Sequence, residues 1–311
     1  MPTSEAPSTA TSTSRAPGRW ALHVALLVVQ MAFAGGAVEG KLAMRAVETG
    51  GGGVDPFALA MARMLGAAVF FQLLARLRRS RPLPFREHAR VALLSLLGIA
   101  LNQTLFLVGL RITTAFAAAL LGATIPVFTA ALAVLLRVEK PAARTAVGLA
   151  LAFSGVLWLT GGGSLDLGAA LIAVNCLSYA LYIVLAKPVL ERVGALTLVT
   201  WVFTWGAVMM APVGGLRLVA GVQEWGERGW LLVGFMVACP TIIAYLANAW
   251  ALQWSTPSMV TVYIYLQPLL AALLQWVQMR EPVSPRALVA SALILAGVAV
   301  VTARRLPRQA G

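Results

Sequence analysis

Asn175, Ser178, Tyr179 and Tyr182 sit at positions i, i+3, i+4 and i+7 of an otherwise apolar run, GAALIAVNCLSYALYIVLAKPV. That spacing places an amide, a hydroxyl and two phenols on one face of a helix. Tyr245 and Asn248 stand three residues apart in a second apolar run, and Tyr263 and Gln267 four apart in a third. Further runs carry Asn102, Gln103 and Thr104 together, and Gln30 and Thr124 singly. Uncharged polar groups in hydrocarbon cost several kcal/mol unless they find a partner or water. Each has two readings, a hydrogen bond between helices or a position on the wall of a hydrated cavity. Convergence of five or six such stripes favours the cavity. Its amides and phenols suit a polar, zwitterionic or aromatic small molecule better than a bare ion.

One carboxylate, Glu39, stands within an apolar run, and the guanidinium of Arg63 lies deep within another. Both are placed about 8 to 11 Å from the same end of their helices at 1.5 Å per residue, close enough in depth to pair. A static Glu39–Arg63 brace is one reading, and proton coupling through Glu39 is the other. Pro126 and Pro268 fall near the middle of their runs, where each removes a backbone hydrogen bond and either shapes a cavity or kinks the helix passively.

Other chemistries find little to work with. The GGGGVD run at 50–55 follows no strand and lacks the Lys-Ser/Thr of a phosphate-binding loop. His23 and His88 have no metal-ligand spacing around them, and Cys176 and Cys239 lie in apolar runs as packing residues. Neither a metal, a cofactor nor a catalytic nucleophile with its base is expected. A membrane-embedded enzyme or a sensor subunit is the alternative reading, but only Glu39 supplies an intramembrane carboxylate, and a passive sensor has no use for converging polar stripes. An ion channel lacks its ring of charge or carbonyl filter.

The elements that must position these groups follow from composition. The chain has 311 residues, 60% hydrophobic and 11% charged, with a mean hydropathy of +0.84. Soluble chains carry about a quarter charged residues, so this one belongs in a bilayer. Ten apolar runs can be drawn, near 20–44, 56–77, 91–110, 114–136, 145–160, 168–189, 196–220, 230–252, 257–279 and 287–302. Their continuous apolarity requires helices rather than barrel strands. Residues 1–19 read as a disordered cytoplasmic tail without the apolar centre of a signal peptide, and 303–311 as a basic cytoplasmic tail. Net charge is +13, but the basic residues form no stripe for nucleic acid. With the N-terminus inside, cytoplasmic segments hold 16 basic residues against 7 outside, which puts both termini in the cytoplasm of a multi-pass inner-membrane protein.

Sliding residues 109–160 forward by 142 gives 13 identities in 52, among them Thr114 with Thr256, Pro126 with Pro268, Glu139 with Glu281, Arg144 with Arg286 and Gly155 with Gly297. The chain therefore divides into five-helix repeats at 20–160 and 168–302. Five being odd, the second copy enters from the opposite side, giving an all-α integral membrane fold of ten transmembrane helices in two inverted repeats. The repeated Glu, Pro and Arg cluster marks the same hairpin in each copy, with Ser284 as helix cap and Pro285 as first helical residue. Helices five and ten are short and rich in small residues such as Gly148, Ala152 and Gly155, suited to close packing or to a homodimer contact.

The segment LNQTLFLVGLRITTAFAAALLGATIPVFTAALAVLLRVE resembles the EamA-type drug/metabolite transporters, especially the plant nodulin-like amino acid and auxin transporter branch. The likeness extends over about 20–302, with a weaker second copy ending in YLQPLLAALLQWVQMREPVSP. It implies ten helices, two inverted repeats, a central cavity, and movement of a small organic metabolite, often outward. The two halves carry unlike chemistry at matching positions: Tyr245 and Asn248 stand where the first copy has Gln103 and Phe106.

Overall fold

A computed structural model describes residues 19–138, 140, 143–160, 167–279 and 285–302. Glu139, Glu281 and Ser284 of the repeated hairpin lie outside them. Among the described residues the chain is helical without strands, and eight helices are long and apolar enough to cross a membrane. We number the helices α1 (Trp20–Met44), α2 (Pro56–Leu77), α3 (Phe85–Ile112), α4 (Ala115–Gly122 continued by Ile125–Leu135), α5 (Ala143–Thr160), α6 (Leu167–Val193), α7 (Ala195–Glu224), α8 (Glu227–Gln253), α9 (Pro257–Val262 continued to Met279) and α10 (Pro285–Thr302). The eight spanning helices are α1–α4 and α6–α9; α5 and α10, 18 residues each, fall outside that count.

The outer surface is apolar, with Leu73, Leu77, Leu216 and Val219 exposed, while Gln30, Arg63, Asn102, Gln103, Asn175 and Asn248 are buried. This is the distribution lipid demands, since an exposed leucine costs nothing there and an exposed amide does.

Helix pairing repeats with a shift of five. α3 packs along α6 as α8 packs along α1, and α4 packs on α6 as α9 packs on α1. α2 pairs with its own counterpart α7, and α5 with α10. The small residues of α5 and α10 thus serve close packing within one chain, where Gly148, Gly155 and Gly297 are buried.

Backbone interruptions repeat as well. α3 widens into a π-helical segment at Leu96–Ala100, and α8 does so at Ala238–Ile243, 142 residues on. α4 breaks at Ala123 and Thr124, and α9 tightens into a 3-10 turn at Tyr263–Leu266, again one repeat length apart. Both interruptions stand directly before the prolines of helices four and nine. Pro126 is the second residue of Ile125–Leu135 and Pro268 the second of Gln267–Met279. At the first turn of Ile125–Leu135 the missing Pro126 N–H has no helical partner to lose.

Starts and stops are built locally. Asp55 Oδ1 accepts from the amides of Phe57 and Ala58 at 2.9 and 3.2 Å, with Pro56 at the first position of α2. Thr256 Oγ1 accepts from the Met259 amide at 3.3 Å at the head of α9. Two lysines close helix ends in matching fashion. Lys41 on α1 donates to the carbonyls of Leu110, Arg111 and Thr113 where α3 ends. Lys187 on α6 donates to those of Leu252 and Gln253 where α8 ends. An ammonium at a helix C-terminus meets orphan carbonyls and the negative end of the dipole. Lys41→Met should therefore lower stability by about 1–2 kcal/mol, read as a lower unfolding midpoint in detergent. Lys41→Arg should recover part of the loss, and an unchanged midpoint for Lys41→Met would mean that water already satisfies those carbonyls.

Candidate functional site

The π-helical segments prepare the interior. A π turn shifts the i→i−4 ladder and leaves carbonyls without helical partners. In α3 the Leu97 carbonyl accepts from Ser178 Oγ at 2.7 Å and the Gly98 carbonyl from the Tyr245 hydroxyl at 3.2 Å. In α8 Pro240 has no N–H to give, and the Met236 carbonyl four residues earlier accepts from Thr241 Oγ1 at 2.6 Å instead. The Pro240 carbonyl accepts from Arg63 Nη2 at 3.5 Å, and Thr241 Oγ1 from Arg63 Nε at 2.9 Å. Thr241 is both acceptor for the guanidinium and donor to the helix. These two bonds turn Arg63 toward α8. Arg63's described hydrogen bonds go to Thr241 and Pro240, because the π segment offers a hydroxyl and a freed carbonyl there, and Glu39 is half-buried on α1 outside the lining of the cavity described next.

Between α1, α2, α3, α4, α6, α8 and α9 lies a cavity of about 90 Å³. Several waters or one small solute fit, since a single water needs ~10–15 Å³. Of the residues anticipated from sequence, Arg63, Asn102, Gln103, Asn175, Tyr179, Tyr245 and Gln267 line it. Gln30, Thr124, Tyr182, Asn248 and Tyr263 do not, and each has a structural engagement. Gln30 Oε1 accepts from Gln267 Nε2 at 2.7 Å, tying α1 to α9. Thr124 Oγ1 donates back to the Leu121 carbonyl at the α4 break. Tyr182 stacks on Tyr179 with centroids 5.8 Å apart. Asn248 Nδ2 donates to the Tyr179 hydroxyl at 3.2 Å, and Tyr263 bonds His23.

Within the wall, Asn102 and Asn175 clamp α3 to α6 reciprocally, each side-chain amide donating to the other's backbone carbonyl at 3.3 and 2.7 Å. Tyr245 is held edge-on by Phe33 and Phe203 at 5.9 and 5.0 Å. Gln103 differs from all of these. It is 2% exposed and lines the cavity with the Tyr245 hydroxyl as its polar neighbour, and neither Nε2 nor Oε1 reaches full hydrogen-bond geometry with any described group. A buried amide without partners costs about 1–3 kcal/mol, which a bound solute or water can recover.

Sequence reasoning missed Phe33, Phe106, Met236 and Pro240 as wall residues. Apolar residues in an apolar run carry no signal of their own. Pro240 had one: Gly36 on α1 passes so close that an added Cβ would lie 2.7 Å from Pro240 Cβ, and a small residue facing a proline across helices marks a tight crossing.

A family model described as the EamA-like transporter family matches this chain over residues 21–161 and again over 166–303. A WAT1-related protein of Arabidopsis thaliana is 24% identical over 90% of this chain and 81% of its own. The Streptantibioticus cattleyicolor protein named "Probable terminal-alkyne amino-acid exporter" is 26% identical over 86% of this chain and 91% of its own. A crystal structure at 18% identity superposes with a TM-score of 0.67, covering 90% of this chain and 95% of that one.

Proposed function

The chain belongs to the EamA-like transporter family, and on that premise we propose that it is a secondary permease exporting a small organic metabolite, an amino acid or an aromatic or polar solute, by alternating access. The observation that carries the proposal is the cavity between the two sets of helices, walled by Arg63, the amides of Asn102, Gln103, Asn175 and Gln267, and two tyrosines.

In this reading α5 and α10 complete ten spans in two inverted repeats, residues 20–160 and 168–302, in the cell membrane with both termini cytoplasmic. The five-shifted helix pairing and the matched interruptions of α3 with α8 and α4 with α9 support it. A solute at the pseudo-symmetry centre is reached from either face when one half rocks against the other. Broken helices supply the joints.

The test is a mass-spectrometric comparison of medium and cytoplasm from cells expressing the chain or its Gln103→Ala variant at equal membrane levels. We expect a small set of solutes to accumulate outside with the wild type and to fall roughly tenfold in the variant, the worth of about 1.4 kcal/mol of lost binding. Matching profiles would remove export of any metabolite those cells make.

A further inference from the structure

The charge of the cavity narrows the solute. Arg63 is 4% exposed, deep among apolar helices, and its described hydrogen bonds are to a hydroxyl and a backbone carbonyl. No aspartate or glutamate is among the residues lining the cavity. A guanidinium carries five N–H donors in a planar fork that matches a carboxylate, and the two described bonds use Nε and Nη2. A cation in lipid without a countercharge is costly, and proteins that keep one there generally use it. Gln103 lines the same cavity beside the Tyr245 hydroxyl, with neither polar atom of its amide in full hydrogen-bond geometry with a described group. Around these two lie Phe33, Phe106, Ile264 and Met236, which offer only apolar surface.

Resting on the transporter reading above, we propose that the transported species is a small organic monoanion whose carboxylate sits at Arg63 and the Gln103 amide, with its apolar body against Phe33, Phe106 and Ile264. The ligand supplies a countercharge inside the cavity, whose described wall carries none. A neutral solute leaves the guanidinium uncompensated, and an amine adds like charge to it. A zwitterionic amino acid presents the right carboxylate but finds no acid on the described wall for its ammonium, so it binds more weakly than an acid of the same shape. The volume of about 90 Å³ restricts the body to roughly the size of one ring or a short branched chain.

Matched probes test this without a mutation. Benzoate and benzamide share shape and differ in charge, and L-phenylalanine adds the ammonium. Titrated against the full chain in detergent and followed by thermal shift, benzoate should bind at least tenfold more tightly than benzamide, with phenylalanine between them. Arg63→Gln should erase that preference and Arg63→Lys retain part of it, since the lysine keeps the charge and loses the fork. Equal affinity for acid and amide overturns the proposal, as does a response to sodium chloride alone that benzoate does not exceed. Efflux from preloaded proteoliposomes, corrected for protein-free vesicles, separates the two readings. If benzamide leaves as fast as benzoate the monoanion assignment fails while transport stands, and if neither leaves faster than from empty vesicles both fail.

Discussion

Gly98→Ala is expected to lower the midpoint of thermal unfolding in detergent by roughly 3–8 °C, a one-carbon change with a large effect. The Cβ would lie 2.3 Å from Tyr182 Cγ and 2.4 Å from Cδ2. Those atoms are the root of the ring and cannot swing aside as a flexible tip would. Tyr182 is itself fixed by its stack on Tyr179, whose hydroxyl receives Asn248, and the Gly98 carbonyl holds the Tyr245 hydroxyl. Displacing the ring or the π segment therefore reaches the cavity wall through two routes, and solute efflux should fall along with stability. Overpacking of this kind costs about 1–3 kcal/mol. A double-mutant cycle isolates the cause: in a Tyr182→Ala background the extra methyl enters vacated space, so Gly98→Ala/Tyr182→Ala should be no less stable than Tyr182→Ala alone. Strictly additive losses would mean that Gly98 matters for the π turn itself and not for the tyrosine.

That contact could not be read from the sequence, and the reason is instructive. Hydropathy locates α1 and α2 to the residue, since charge or proline bounds them directly, yet it ends α3 at Leu110 and begins it at Val91 when the helix runs from Phe85 to Ile112. A helix continues through the interface for as long as its backbone bonds can be kept, whereas the apolar run stops where hydrocarbon stops. The polar stripe on α6 was legible because 3.6-residue periodicity fixes a face. What that face meets was not: Asn175 and Ser178 spend their hydrogen bonds on the Asn102 and Leu97 carbonyls, and only the π segment makes the second of these available. Arg63 could be placed by depth alone, while its described bonds depend on rotation about the helix axis, on Thr241 and on the freed Pro240 carbonyl. The 142-residue repeat, by contrast, was present in Thr114/Thr256 and Pro126/Pro268, and the backbone interruptions obey the same offset.

Arg63→Met is expected to make the empty protein more stable and the working protein nearly inactive, the sharpest separation of the two properties available in this chain. Removing a buried guanidinium abolishes its desolvation cost, and well-packed apolar replacements of buried charges commonly gain about 1–4 kcal/mol. Methionine fills most of the lost stem volume with a flexible chain. The groups left behind are cheap to abandon. Thr241 keeps its 2.6 Å bond to the Met236 carbonyl, and the Pro240 carbonyl loses only a 3.5 Å contact at the edge of hydrogen-bonding range. The unfolding midpoint without solute should therefore rise by several degrees. Efflux of a carboxylate should fall by at least about a hundredfold if the charge-assisted pair contributes near 3 kcal/mol. Measured together on one preparation, the two changes decide what Arg63 is for. A fall in both would make it a structural brace between α2 and α8 through Thr241, and a rise in stability with transport intact would leave the cavity's positive charge without a task.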